Sequence, residues 1–382
     1  MSSARENLEL ILPELIVALA SAPDPDQGLV RFAQLVGAYG APATFYEMLH
    51  AHAGFRKLLI TLCGASRFLA ELIQRDPSLL DGLITPNADG GSVERAAWKG
   101  EVEAIERLRH QELLRIGCDD LLGLTAAEET FLRLSELAEK VLQMVFARAW
   151  KNVVRRRGKP RTRRGREAHL ACFAGGKFGG REMDFGSDLD LFFIYEGEGQ
   201  TGRTGTSNSV FFIEVTQEII SLLQDRGLFK ADARLRPEGR SAPMAISLSG
   251  YRRYLEKRAA TWERLALSRA RCVAGDAELG QRVMRCIRSF VFRSPVDAQL
   301  VGEVGAMRRR MEPAVVRGGK TEVDVKRGPG GMVDIEFIAQ VMVLKWGGEN
   351  RQLRLTGTRQ VLEELLRMQL LAGREGRFLL ET

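Results

Sequence analysis

Long apolar runs are missing from this 382-residue chain: no stretch approaches the roughly 18 residues that span a bilayer. Histidine is scarce, with four in all and only His169 in the middle of the chain, which argues against a histidine-built catalytic centre. The five cysteines (Cys63, Cys118, Cys172, Cys272, Cys286) are odd in number and widely spaced, with no CxxC pair. That pattern argues against a zinc site and fits a reducing compartment. The opening residues Met1-Ser2-Ser3-Ala4-Arg5-Glu6 carry no secretory pattern, so the expectation is a cytoplasmic protein without a membrane partner. Two phosphate-binding signatures are absent as well, the GxxxxGK[ST] loop and the GxGxxG dinucleotide fingerprint. Aromatic residues are also missing where they would be most informative. Residues 151–170 hold nine Lys/Arg and one Glu, which accounts for the whole net charge of +7 and the basic balance of the chain. Lys151 to Arg166 nevertheless contains no aromatic residue, whereas nucleic-acid surfaces spread their cations along a face and interleave stacking rings. Nucleic acid is therefore not the expected partner. A solvated linker, or a segment attracting a polyanionic substrate or an acidic protein, remains open.

What is present is helix, with one α/β interval. Leu8, Ile11, Leu12, Leu15 and Leu19 form a single apolar stripe, and similar stripes continue to about residue 150, with longer helices expected over about 93–123 and 126–152. Pro86 to Gly91 reads as a break. The arginine-rich interval 151–167, with Gly158, Pro160 and Gly165, reads as an exposed loop. Strands are expected at His169–Ala174, Leu189–Tyr195 and Leu228–Leu235, with a helix marked by Phe212, Val215, Ile219 and Leu222 between the last two. From Leu248 the pattern is helical again, over about 248–259, 261–271, 276–293, 296–315, Met332–Trp346 and 358–371, apart from a brief strand-like alternation at Thr321–Lys326. The expected class is therefore α+β, mainly helical, with a central mixed sheet. Its organisation is an N-terminal helical region (1–150), an α/β core (151–247) and a C-terminal helical region (248–382). The last residues, Leu379-Leu380-Glu381-Thr382, read as the start of a further helix, hence the expectation of a truncated C-terminus.

The chemistry gathers at Gly175 to Leu191. An apolar strand ends in Gly175-Gly176 with Lys177 beside the turn, and a second strand opens on Asp188 and Asp190. Alternation puts the two carboxylates on one face, where like charges repel unless a cation lies between them; magnesium suits such all-oxygen ligation. Asp232, inside the next strand, supplies a third ligand or a base for an incoming hydroxyl. Three carboxylates of this kind suit two metal ions clamping an in-line displacement. The glycines let a backbone approach a bulky anion, and N–H groups at the following helix start, together with Lys177, suit ATP phosphates. Arg234 and Arg236 follow Asp232 at spacing two and would meet triphosphate or fix the aspartates.

These residues stand in blocks that resemble the polymerase-β-type nucleotidyltransferase superfamily and, within it, the bacterial glutamine synthetase adenylyltransferase/deadenylylase family. The blocks are Gly176 to Glu182, Gly186 to Leu191, Ala231 to Pro237, Thr261 to Arg264, Ala270 to Asp276 and Asp324 to Phe337, with Pro77 to Asp81 extending the likeness into the N-terminal helices. The resemblance implies transfer of AMP from ATP to a tyrosine of glutamine synthetase, its phosphorolytic reversal, and a PII-type signal protein as a further partner. It implies metal at Asp188, Asp190 and Asp232, and nucleotide at Gly175, Gly176, Lys177, Gly179, Gly180 and Ser187. It also draws attention to Lys326, Asp334 and Glu336, although Asp334 and Glu336 at spacing two do not share a helix face. The family carries two catalytic halves in tandem; this chain shows one, worded more like the adenylylating half. Two other classes compete. One is a related transferase acting on a different protein or on RNA, for which an HD hydrolase pair or stacking surfaces are missing. The other is a catalytically inactive helical binding module, against which the three intact carboxylates speak.

Overall fold

The computed structural model describes residues 2–84, 90–237, 239, 242–311 and 324–381. The fold is mainly helical with a small mixed sheet, as the patterning implies. It divides into two compact units, Met1–Leu137 and Ala138–Thr382.

The first unit is all helix: α1 (Ser2–Ala20), α2 (Pro25–Tyr39), α3 (Pro42–Ala51), α4 (Ala53–Ala65), α5 (Arg67–Arg75), α6 (Leu79–Ile84), α7 (Gly90–Trp98), α8 (Val102–Leu121) and the start of α9 (Ala127–Arg157). Ile11, Leu15 and Leu19 of the α1 stripe are buried, while Leu12 is left 39% exposed at its edge. The long helix expected over 93–123 is instead two, because Gly100 takes a left-handed φ of 83° between α7 and α8. The break expected at Pro86 to Gly91 lies largely outside the described residues. Where it is described, Gly90 and Gly91 already belong to α7.

The second unit is built on the sheet. Its elements are β1 (Pro160–Thr162), β2 (Leu170–Ala174), α10 (Gly176–Gly180), β3 (Leu189–Tyr195), β4 (Gly199–Thr201), α11 (Asn208–Asp225), β5 (Ala231–Asp232), β6 (Ala245–Ser247), α12 (Leu248–Lys257), α13 (Thr261–Ser268), β7 (Arg271–Gly275), α14 (Ala277–Val291), α15 (Ala298–Met311), α16 (Met332–Trp346), α17 (Thr358–Arg367) and α18 (Gly373–Glu381). The main sheet runs β5-β3-β2-β7, with β6 also on β3; β2 is antiparallel to β3 and β7, whereas β5 and β6 run parallel to β3. β2 and β3 are nearly continuous apolar runs because both faces are covered. Phe173 stacks on Phe192 and Phe192 meets Tyr251 of α12 on one face, while Tyr195 stacks on Phe212 of α11 on the other.

Several expectations shift. The basic interval is not a loop throughout: α9 extends to Arg157, where Arg156 and Arg157 pair with Glu218 and Glu214 of α11, and β1 then pairs with β4. The third strand shrinks from Leu228–Leu235 to Ala231–Asp232, since the chain turns directly after Asp232. β6 and β7 were not anticipated; Arg271 to Gly275 is short and lies between two helices, which hides its signal. The helix expected to reach 315 is described only to Met311, and the alternation at Thr321–Lys326 lies mostly outside the described residues, with 324–326 in a turn region.

Candidate active site

The carboxylate edge is assembled by strand register. β3 and β5 are parallel with Leu189 opposite Ala231 and Asp190 opposite Asp232, so the two aspartates stand side by side although 41 residues intervene. Asp190 shares its face of β3 with Phe192 and Ile194, which are core residues, so its carboxylate lies where a buried sheet face reaches its edge. Asp188 precedes the strand and is exposed. Burial, then the charges of Asp232 and Asp188, push the Asp190 carboxyl up to about 6, against the opposing pull of Arg234 and Arg269.

Gly175 and Gly176 fit the backbone against this edge. The Gly175 N–H donates to the Asp190 carbonyl at 2.9 Å. Gly176 has φ of 52°, and a Cβ there would collide with the Asp190 carboxylate. Side chains at Gly179 and Gly180 would meet Arg269. Lys177 Nζ donates to Asp184 Oδ2 at 2.6 Å, and Ser187 Oγ donates to Asp184 Oδ1 at 2.9 Å. Burial alone would raise the Asp184 carboxyl, but those donors bring it below the usual range. Lys177 and Ser187 therefore meet at Asp184, which sequence reasoning did not single out; its position between Gly180 and Asp188 was the only signal.

Asp232 is clasped by its neighbour: one oxygen accepts the Arg234 backbone N–H at 2.9 Å, and the other accepts the Arg234 guanidinium. Arg236 turns the other way, donating to Gly239 O at 2.9 Å and Ala233 O at 3.1 Å. The two arginines thus do not share a strand face. Among the described residues no three His, Cys, Asp or Glu side chains converge as a ready-made ligand cluster. The candidate donors nevertheless fit a hard divalent cation, because all are carboxylate oxygens and Asp190 and Asp232 stand side by side.

Comparison with known proteins shows the family. Residues 56–286 match the family model described as Glutamate-ammonia ligase adenylyltransferase. The chain belongs to that family. Residues 305–382 match a second model, GlnD PII-uridylyltransferase. Among curated relatives is the bifunctional glutamine synthetase adenylyltransferase/adenylyl-removing enzyme of Thioalkalivibrio sulfidiphilus, 34% identical over 334 residues, covering 82% of this chain and 34% of the relative. The enzyme of the same name from Pseudomonas aeruginosa is 33% identical over 417 residues, covering 99% of this chain and 42% of the relative. This adenylyltransferase-family chain therefore spans between about a third and two fifths of the length of the relatives it matches.

The remaining candidates separate. Asp334 accepts from Arg308 Nε at 2.7 Å and from the Gly330 N–H at 2.7 Å, at the start of α16. Glu336 instead faces Arg269 Nη1 at 3.6 Å, as expected for two helical residues at spacing two. Lys326 is exposed in the turn before α16. Sequence reasoning also missed Arg269, only 4% exposed. Its guanidinium bonds Glu182, just after the glycine helix, and donates to Thr356 O at 3.1 Å. Glu182 also accepts from the Thr358 N–H and, at 3.0 Å, from its hydroxyl. Arg269 so ties the segment after α10 to α16 and to the residues leading into α17. No periodicity marks it, because its partners lie 87 residues away on either side.

Proposed function

We propose that this chain transfers AMP from ATP to a tyrosine hydroxyl of glutamine synthetase, releasing pyrophosphate, and that the same site supports phosphorolysis of adenylyl-tyrosine to tyrosine and ADP. The observation that carries the reading is the register that sets Asp190 beside Asp232 across from Gly176. In this reading residues 151–247 form the catalytic core, between helical residues 1–150 and 248–382. Asp188, Asp190 and Asp232 hold Mg2+, which when bound supplies charge neutralisation at the triphosphate and polarisation of the reacting phosphate. Gly175, Gly176, Gly179 and Gly180 keep the backbone close to the nucleotide, with Lys177, Ser187 and Arg234 on its phosphate side. Arg236 supports the loop that carries Arg234, through Ala233 and Gly239. Asp232 serves as an oxygen ligand or accepts the tyrosine proton. The five cysteines are all free, which supports a reducing, cytoplasmic setting. No described helix is long and apolar enough to cross a membrane.

The test is transfer of label from the α-phosphate of ATP to purified glutamine synthetase, beside an Asp188→Asn/Asp190→Asn double variant. Labelled synthetase, absent with the variant and with a synthetase lacking its acceptor tyrosine, is the expected result. Release of ADP from pre-adenylylated synthetase and phosphate, without forward labelling, would assign the removing direction. The match of 305–382 to the PII-uridylyltransferase model supports a PII-type signal protein as a second candidate partner. The same assay with that protein and UTP in place of ATP separates the two acceptors.

A further inference from the structure

The opposite end of β3 carries a different surface. Glu196 follows the strand, six residues beyond Asp190 and so about 20 Å away at the usual strand rise. Two adjoining grooves of about 410 and 330 Å³ meet there, sharing Glu196, Ser249 and Arg282. One wall is the turn after β1, where Arg163, Arg164 and Arg166 are exposed. The other is α12, which presents Arg253 and Lys257 one helical turn apart.

Both walls are built rather than loose. Thr162 N–H donates to Arg166 O at 2.8 Å, Arg161 Nη1 donates to Gly165 O at 2.8 Å, and Gly165 takes the left-handed φ of 80° that closes the turn. Ser247 caps α12 by accepting from the Gly250 N–H at 3.2 Å. On the floor, Arg282 is held to Glu196 at 3.0 Å. The cations on the walls, by contrast, form no ion pair among the described residues. Gathering five unpaired cations on two fixed walls costs mutual repulsion, which an anionic partner would relieve.

We propose that this groove is a docking surface for an acidic protein segment, separate from the transfer chemistry. Guanidinium forks match carboxylates in a bidentate way, which favours clustered Asp and Glu side chains. A nucleic-acid strand fits less well on two counts. Among the described lining residues there is no aromatic ring on which a base could stack, and Glu196, Glu198 and Glu256 oppose a continuous phosphate track while suiting the mixed charges of a protein surface.

The test uses the full chain and two fluorescent probes, a decaglutamate peptide and an oligothymidine of equal charge. The peptide is expected to bind saturably and to be weakened about tenfold by Arg163→Glu/Arg164→Glu/Arg253→Glu, with a smaller loss in the corresponding Gln variant. A control reversal at the exposed residues Arg351, Arg374 and Arg377 should change binding less than about twofold. Absence of peptide binding, equal weakening by the control, or tighter binding of the oligothymidine lost through the same groove variants would each overturn the proposal.

Discussion

If Asp190 holds the metal as proposed, it sets a conflict between stability and activity that two substitutions can expose. Its carboxyl titrates near 6 in the fold, above its ordinary 3.8, chiefly because of burial. Folding therefore favours the protonated form. The associated stability is fully present below about pH 4, is lost as pH rises through 6, and is absent at neutral pH. Asp190→Asn is expected to stabilise the ligand-free protein at pH 7.5 by on the order of 2 kcal/mol while reducing transfer more than about 100-fold. Thermal melts at pH 4.5 and 7.5 check the sign, since the gain should shrink at the lower pH. Gly176→Ala should behave oppositely, destabilising by about 1–2 kcal/mol as well as impairing transfer, because it strains a positive φ and pushes against the Asp190 carboxylate. Much of this was legible in the residues themselves: Gly175-Gly176, Asp188, Asp190 and Asp232 are local signals. The partners of Lys177 and Ser187 were not, since a side chain's choice of Asp184 depends on how a seven-residue turn closes.

At the level of elements, the core strands β2 and β3 were readable because burial on both faces leaves an unmistakable apolar run. β5 was overestimated and β7 missed because two- and five-residue strands take their identity from the neighbour they pair with. Arg269 illustrates the same limit. It follows α13, bonds the segment after α10 and reaches the start of α17, so its importance exists only in the folded chain. Arg269→Met should cost about 3–5 kcal/mol, since it leaves Glu182 and Glu336 without their buried cation. Urea denaturation of Arg269→Met, Glu182→Gln and the double variant gives the coupling directly; additive losses would mean that the pair does not act as a unit.

For the molecule as a whole, every group placed at the candidate site belongs to the second compact unit. A chain beginning at residue 127, the first of α9, is expected to show the same thermal shift with Mg-ATP as the full chain, and a shift seen only with the full chain while the fragment is folded would assign a role in nucleotide binding to the first unit. The sequence pattern separates a helical stretch from an α/β interval, but the two units divide at 137/138 and place the C-terminal helices with the sheet. The continuous helix α9 across the boundary hid where one unit yields to the next.

The clasp between Arg234 and Asp232 has a consequence in logic rather than geometry. On the proposed reading, a cation arriving alone would compete with the Arg234 guanidinium for Asp232, and a polyphosphate arriving alone would draw that guanidinium away from two adjacent aspartates. Each visitor removes the obstacle to the other. If that reading holds, the resting pair would act as a coincidence detector, its two inputs counting only when they come together.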